Sequence, residues 1–189
     1  MATMARNPNA RSRDMIISLA VIMIPVLLIG WWFTMDDDSR PATVDVPGTL
    51  TRAQGESPYP LLTAEGLSDD WSAIRVAWSK VGDPWITGDP ASSNSWQVGY
   101  LSPDDVYFGV QQRDAGSAEF IRTTTREAKE LDGVVEAAGR AWSRYESPDE
   151  RTRSLVSVDG DRTSIVTADT DFAQLEAFAA SLVEHAPNA

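Results

Sequence analysis

The sequence predicts an α+β fold preceded by an N-terminal transmembrane helix: one domain with an antiparallel sheet and two main helices packed on one face. Three observations predict it. Residues 15–32, MIISLAVIMIPVLLIGWW, hold no charged side chain. Beyond residue 60, short runs alternate apolar and polar side chains and are joined by turn residues. Two segments of helical spacing interrupt those runs, and hairpins take the place of a βαβαβ alternation.

With Phe33, Thr34 and Met35 the apolar run makes 21 residues between Asp14 and Asp36. At ~1.5 Å per residue it spans a hydrocarbon core of ~30 Å. Arg6, Arg11 and Arg13 precede it, and Asp36, Asp37 and Asp38 follow it. Basic residues near a span stay on the cytoplasmic side, so the N-terminus is expected inside and the C-terminal part outside. Trp31 and Trp32 fall at the outer membrane interface, a depth that indole rings favour. Pro25 is tolerated mid-span. A cleaved signal peptide needs small residues after a shorter core; here stand Gly30-Trp31-Trp32-Phe33-Thr34. The expected organisation is a cytoplasmic segment (1–14), a transmembrane signal anchor (15–35), an extracytoplasmic linker (36–60) and an extracytoplasmic α+β domain (61–186).

The 154 residues after position 35 suffice for one domain with its own core. No cysteine is present, which removes disulfides, thiol catalysis, lipoprotein processing and Cys-based zinc sites. The formal charge is −12, and from Asp36 onward 27 acidic residues face 13 basic ones. Such a surface disfavours nucleic acid and anionic lipid headgroups. Arg outnumbers Lys 14 to 2, a mark of a GC-rich genome.

In the linker, Pro41, Pro47, Pro58 and Pro60 break regular structure. Val44-Asp45-Val46 is a candidate short strand, and residues 49–54 a candidate helical turn. The folded domain is expected to begin near Leu61. Residues 74–78 alternate as a half-buried strand, and a Gly/Pro/Asp/Ser-rich loop follows over 82–93. Residues 96–100 and 106–110 flank Ser102-Pro103-Asp104-Asp105, a turn with proline at its second position, and read as a hairpin. Ser117 caps a helix predicted over 118–129, with Phe120, Ile121, Thr124 and Ala128 on one side. Residues 134–137 and 141–145 are strand candidates around Gly139. Residues 155–158 and 163–167 form a second hairpin about Asp159-Gly160. Asp169 or Thr170 caps a last helix whose stripe is Phe172, Leu175, Phe178, Leu182 and Val183. A short polar tail follows.

No catalytic, cofactor-binding or metal-binding residues emerge. The single histidine, His185, lies near an end expected to fray, so histidine–nucleophile pairs are unavailable. No HExxH, GxSxG, Walker or GxGxxG pattern occurs. The acidic pairs Asp69-Asp70 and Asp104-Asp105, the run 36–38 and Asp159-Gly160-Asp161 lack EF-hand spacing, and the last reads as a turn. Aromatic residues are the other candidate chemistry, because a row of exposed rings can bind sugar or peptide. Trp78, Trp96 and Trp142 read as core-facing strand residues. Trp85, in the loop Asp83-Pro84-Trp85-Ile86-Thr87-Gly88, is the candidate exposed contact.

Trp96-Gln97-Val98-Gly99-Tyr100-Leu101-Ser102-Pro103, Gly139-Arg140-Ala141-Trp142 with Tyr145, and the closing segment 175–182 resemble an uncharacterised family of actinobacterial single-pass membrane proteins. Its marks are W-x-x-G-Y-L-x-P and G-R-x-W-x-x-Y. The resemblance covers about residues 12–185 and implies envelope location and topology, but no activity, ligand or catalytic residue. The resulting expectation is a non-catalytic binding or accessory module of the cell envelope, acting on another envelope protein, a lipid-linked intermediate or a cell-wall polymer. A sensory or regulatory partner of another membrane protein and a carboxylate-dependent hydrolase are the rivals.

Overall fold

The computed structural model describes the backbone of residues 8–34, 41–115 and 117–188, with side chains described from Met15 onward except 32–34. It divides into two compact units, Met1–Ala42 and Thr43–Ala189. The first contains helix α1 (Pro8–Thr34), with Pro25 inside it. From Met15 to Trp31 every side chain except that of Ala20 is exposed. Described side chains thus cover 17 residues of this helix. Among the described residues no helix is long and apolar enough to cross a membrane. The Trp32 side chain and Asp36, Asp37 and Asp38 lie outside the described residues.

The second unit starts earlier than Leu61. Asp45 caps helix α2 (Val46–Gln54) by accepting from the Gly48 N–H, and Pro47 occupies the first turn, where a missing N–H costs nothing. Val44 donates to the Ala73 carbonyl at 2.9 Å. Val44-Asp45-Val46 is therefore a helix entry, not a strand. Ala53 and Tyr59 are buried in the core, so residues 43–60 belong to the fold.

Seven antiparallel strands form one sheet: β2 (Ser72–Ser79), β3 (Ser95–Leu101), β4 (Tyr107–Arg113), β5 (Lys129–Ala137), β6 (Arg140–Glu146), β7 (Arg153–Asp159) and β8 (Arg162–Ala168). Their spatial order is β2-β3-β4-β8-β7-β6-β5. Each hairpin has its turn chemistry. Ser102 closes the β3–β4 turn by donating its N–H to Val106, with Asp105 at φ 58°. Ala138 and Gly139, at φ 52° and 71°, make the two-residue β5–β6 turn. Gly160, at φ 59°, makes the β7–β8 turn that Asp159 and Arg162 flank.

Helix α3 (Ser117–Thr124) is shorter than the predicted 118–129. Arg126 and Glu127 both take positive φ, 60° and 59°, and the Glu127 N–H reaches back to the Arg122 carbonyl at 2.7 Å. This is the left-handed stop that glycine usually supplies, made here by two charged residues. Helix α4 (Phe172–Ala180) is capped by Asp171, which accepts from the Gln174 N–H at 2.8 Å, not by Asp169 or Thr170. Leu182 and Val183 lie on β9 (Leu182–His185), which pairs with β1 (Leu61–Ala64) in a separate antiparallel ribbon.

Both sheet faces are covered, and the two main helices lie on opposite ones. The large core joins Trp96, Phe108, Val110, Trp142, Leu155 and Val166 to Leu175 and Phe178 of α4 and to Leu61 and Leu62 of β1. A small cluster on the other side joins Phe120 of α3 to Val156 and Ile165. Alternation along a strand puts neighbours on opposite faces. The consecutive pairs Leu155-Val156 and Ile165-Val166 therefore need cover on both sides, which corrects the one-faced arrangement predicted above.

Candidate functional site

On the larger-core face, Trp96, Tyr100 and Gln112 are consumed by structure. Strand β1 bonds β9 along one edge, and the sheet supplies partners for the other. Gln112 Oε1 accepts from the Leu62 N–H at 2.7 Å, and Trp96 Nε1 donates to the Leu62 carbonyl at 2.8 Å. The Tyr100 hydroxyl accepts from the Ala64 N–H at 3.0 Å, while Gln112 Nε2 donates to Pro60 and to Ser164. Burial pushes the Tyr100 phenol up to about 12. A strand lying flat on another sheet would leave its outer N–H and C=O groups unpaired at a cost; Trp96, Tyr100 and Gln112 satisfy them.

A charged knot closes the end of this face. Arg140 donates to Ser164 Oγ and to Glu184 Oε1; Arg162 reaches Glu184 at 3.1 Å and Asp159 at 2.7 Å. Burial, then the neighbouring Arg162, lowers the Arg140 guanidinium to about 10. Two clefts of about 560 and 330 Å³ share Asp159, Arg162 and Glu184. Their cations are already held by carboxylates, so the knot fastens β9 to the sheet.

The opposite face differs. Gly99 of β3 and Gly109 of β4 are directly paired, and Thr167 of β8 is paired to Gly109. A Cβ on Gly99 would lie 2.4 Å from the Tyr107 hydroxyl oxygen; one on Gly109 would lie 3.1 Å from Tyr107 Cε1 and 3.2 Å from Thr167 Oγ1. The glycine pair thus makes a bare track on which the Tyr107 ring lies against backbone, while Tyr107 remains 37% exposed. Beside it opens a cavity of about 440 Å³. Gln111 and Thr167 line it from the sheet, Thr124 from the end of α3, and Arg126 and Asp169 from the loops beyond. Asp169 lies 3.7 Å from Arg126 and accepts from Thr152 Oγ1 at 2.5 Å. Among the described residues, the Tyr107 hydroxyl, the Gln111 amide and the Thr124 and Thr167 hydroxyls have no hydrogen-bond partner. Four uncommitted polar groups and one ring therefore converge on a single cavity.

None of these residues stands out in the sequence on its own. The available signal was the glycine pair on either side of the Ser102–Asp105 turn: glycine within a strand marks a close approach of something else.

Trp85 is half-buried in a loop closed by its own backbone bonds to Gly88 and Asp89, and lines a small cleft with Ser95 and Arg113. Trp31 is 60% exposed on α1. Trp78 is partly exposed and donates Nε1–H to Glu56 at 2.9 Å, whereas Trp96 and Trp142 are buried. His185 is not frayed: it sits on β9 with Nε2 2.7 Å from Thr63 Oγ1 and 3.4 Å from Glu65 Oε1. Nor is the tail loose there, since Asn188 N–H and the Ala186 carbonyl both bond Gln54. Asp69, Asp70, Asp104 and Asp105 are exposed. Among the described residues no group of three or more acidic or histidine side chains is arranged to hold a metal ion.

No curated protein matches the chain. A family described as "Protein of unknown function (DUF4245)" matches residues 8–182. With that match spanning nearly its whole length, the chain belongs to the DUF4245 family.

Proposed function

We propose that the protein is a single-pass, membrane-anchored component of the cell envelope, of actinobacterial origin, whose C-terminal unit works outside the membrane as a non-catalytic binding or accessory module. The observation that carries this reading is α1, which presents apolar side chains in every direction from Met15 to Trp31. Burial of an apolar side chain is worth ~1.5–3 kcal/mol, and no face of this helix is polar enough to be left in water. The apolar sequence continues to Met35, giving the ~20 residues that a span requires. Arginines before it and aspartates after it set the direction. The module reading draws on the fold: on one face Trp96, Tyr100, Gln112 and the paired arginines are spent on structure, and the other face keeps a cavity with uncommitted side chains.

Reporter fusions test it. An enzyme active only outside the membrane, fused after Asn188, is expected to be active, and the same enzyme fused before Arg11 to be silent. The reverse pattern, or recovery of the full chain in the fraction free of membranes, would refute the reading.

A further inference from the structure

The geometry points to the Tyr107 cavity as a binding site for an uncharged saccharide unit of an envelope glycan, with the Tyr107 ring as its platform. The inference rests on the envelope-module reading and names the ligand class for it. Three features select this chemistry. The first is the ring itself: its position on the Gly99–Gly109 track fixes one face against the sheet, while the residue stays 37% exposed. An aromatic face is electron-rich and attracts the weakly positive C–H groups of a sugar ring. The second is the set of free groups. A hydroxyl both donates and accepts, and an amide offers two donors and an acceptor. The Tyr107, Thr124 and Thr167 hydroxyls and the Gln111 amide thus match the mixed donor–acceptor rim of a polyol. The third is charge. The cavity's one guanidinium, Arg126, lies 3.7 Å from Asp169, and Asp105 is a further wall residue, so an anion finds no free cation there.

The same facts disfavour a peptide. Extended peptides bind by adding to a sheet edge, whereas β4 and β8 are internal strands, each paired on both sides. A cavity of about 440 Å³ is also in the size range of small-molecule sites.

The test uses the full chain, purified in a zwitterionic detergent so that no sugar headgroup competes. Saturation-transfer NMR is run with three neutral tetrasaccharides: cellotetraose, mannotetraose and the β-1,4-linked N-acetylglucosamine tetramer. At least one is expected to bind with a Kd of ~1 mM or tighter. Tyr107→Leu is expected to weaken that binding by about tenfold or more, while Tyr107→Phe, which keeps the ring, stays within about threefold. Gln111→Ala and Thr167→Val provide the same readout should Tyr107→Leu fail to fold, and each is expected to weaken binding. Trp85→Ala should leave it unchanged. The proposal is overturned if no tetrasaccharide binds at ~10 mM, if the cavity variants bind as well as the parent, or if Trp85→Ala alone abolishes binding. A photo-crosslinker at position 107 that captures a protein in cells, with no saccharide binding in vitro, would also overturn it. Failure of the envelope reading would instead appear in the reporter fusions, which do not depend on this cavity.

Discussion

Gln111 and Gln112 are neighbours on β4, yet they point to opposite faces and have opposite fates. Gln112 is fully buried and holds three groups: the Leu62 N–H, the Pro60 carbonyl and the Ser164 hydroxyl. Gln111 is half-buried and its side chain bonds none of the described residues. The contrast extends to whole faces. One carries the large core, a ribbon bound through Trp96, Tyr100 and Gln112, and arginines locked to Glu184. The other carries a three-residue apolar cluster and a cavity in which the Tyr107, Gln111, Thr124 and Thr167 side chains bond none of the described residues. Buried polar groups without partners are costly; Gln111 is only half-buried and lines the cavity, whereas the Ser154 and Thr163 hydroxyls on the same face are buried without a partner among the described residues. The division separates side chains committed to the fold from uncommitted ones, which the proposed reading assigns to recognition.

The strongest way to break this comparison is on the core face. Trp142 is fully buried and donates Nε1–H to the Ala137 carbonyl at 3.0 Å. Trp142→Ala is expected to cost ~3–5 kcal/mol, a large share of a typical ~5–15 kcal/mol total. Denaturant unfolding followed by near-UV circular dichroism measures it. A loss under ~1 kcal/mol would mean that this face is not the folding core.

A smaller effect sharpens the picture on the other side. Gly99→Ala places a Cβ against the far end of the Tyr107 ring. The ring can swing away, and alanine loses less backbone entropy than glycine. Stability is expected to change by less than ~1 kcal/mol, while the ring leaves its track. Melting temperature together with Tyr107 NMR shifts reads both effects. Unchanged shifts would show that the ring is not seated on the glycine pair.

How much of this was legible before folding follows from physical cause. The hairpins were readable because Ser102-Pro103-Asp104-Asp105 and Asp159-Gly160 are turn chemistry that acts locally. The end of α3 was not, because Arg126 and Glu127 adopt left-handed backbone with no glycine to announce it. The ordering of residues 43–60 was hidden by prolines that suggest a linker, although Asp45-Val46-Pro47 is also a helix start. Leu182 and Val183 extend the helical spacing of α4, yet a turn at Ser181 sends them into β9. The second covered face was written in Leu155-Val156 and Ile165-Val166, since strands buried on both sides lose their alternation. Of the candidate site, only the glycine pair was visible. Tyr107, Gln111, Thr124 and Thr167 come together through strand register and the end of α3, which tertiary pairing sets. Trp85 stood out by composition alone, and nothing in its loop joins it to the cavity.

The most direct measurement compares the melting temperatures of Gln112→Ala and Gln111→Ala in the full chain. Removing Gln112 leaves the buried Leu62 N–H unpaired, at a cost of roughly 1–3 kcal/mol. Removing Gln111 is expected to stay within ~0.5 kcal/mol. A clear fall for Gln112→Ala beside an unchanged Gln111→Ala is the expected result. Equal losses, or a larger loss for Gln111→Ala, would contradict the assignment of one face to folding and the other to binding.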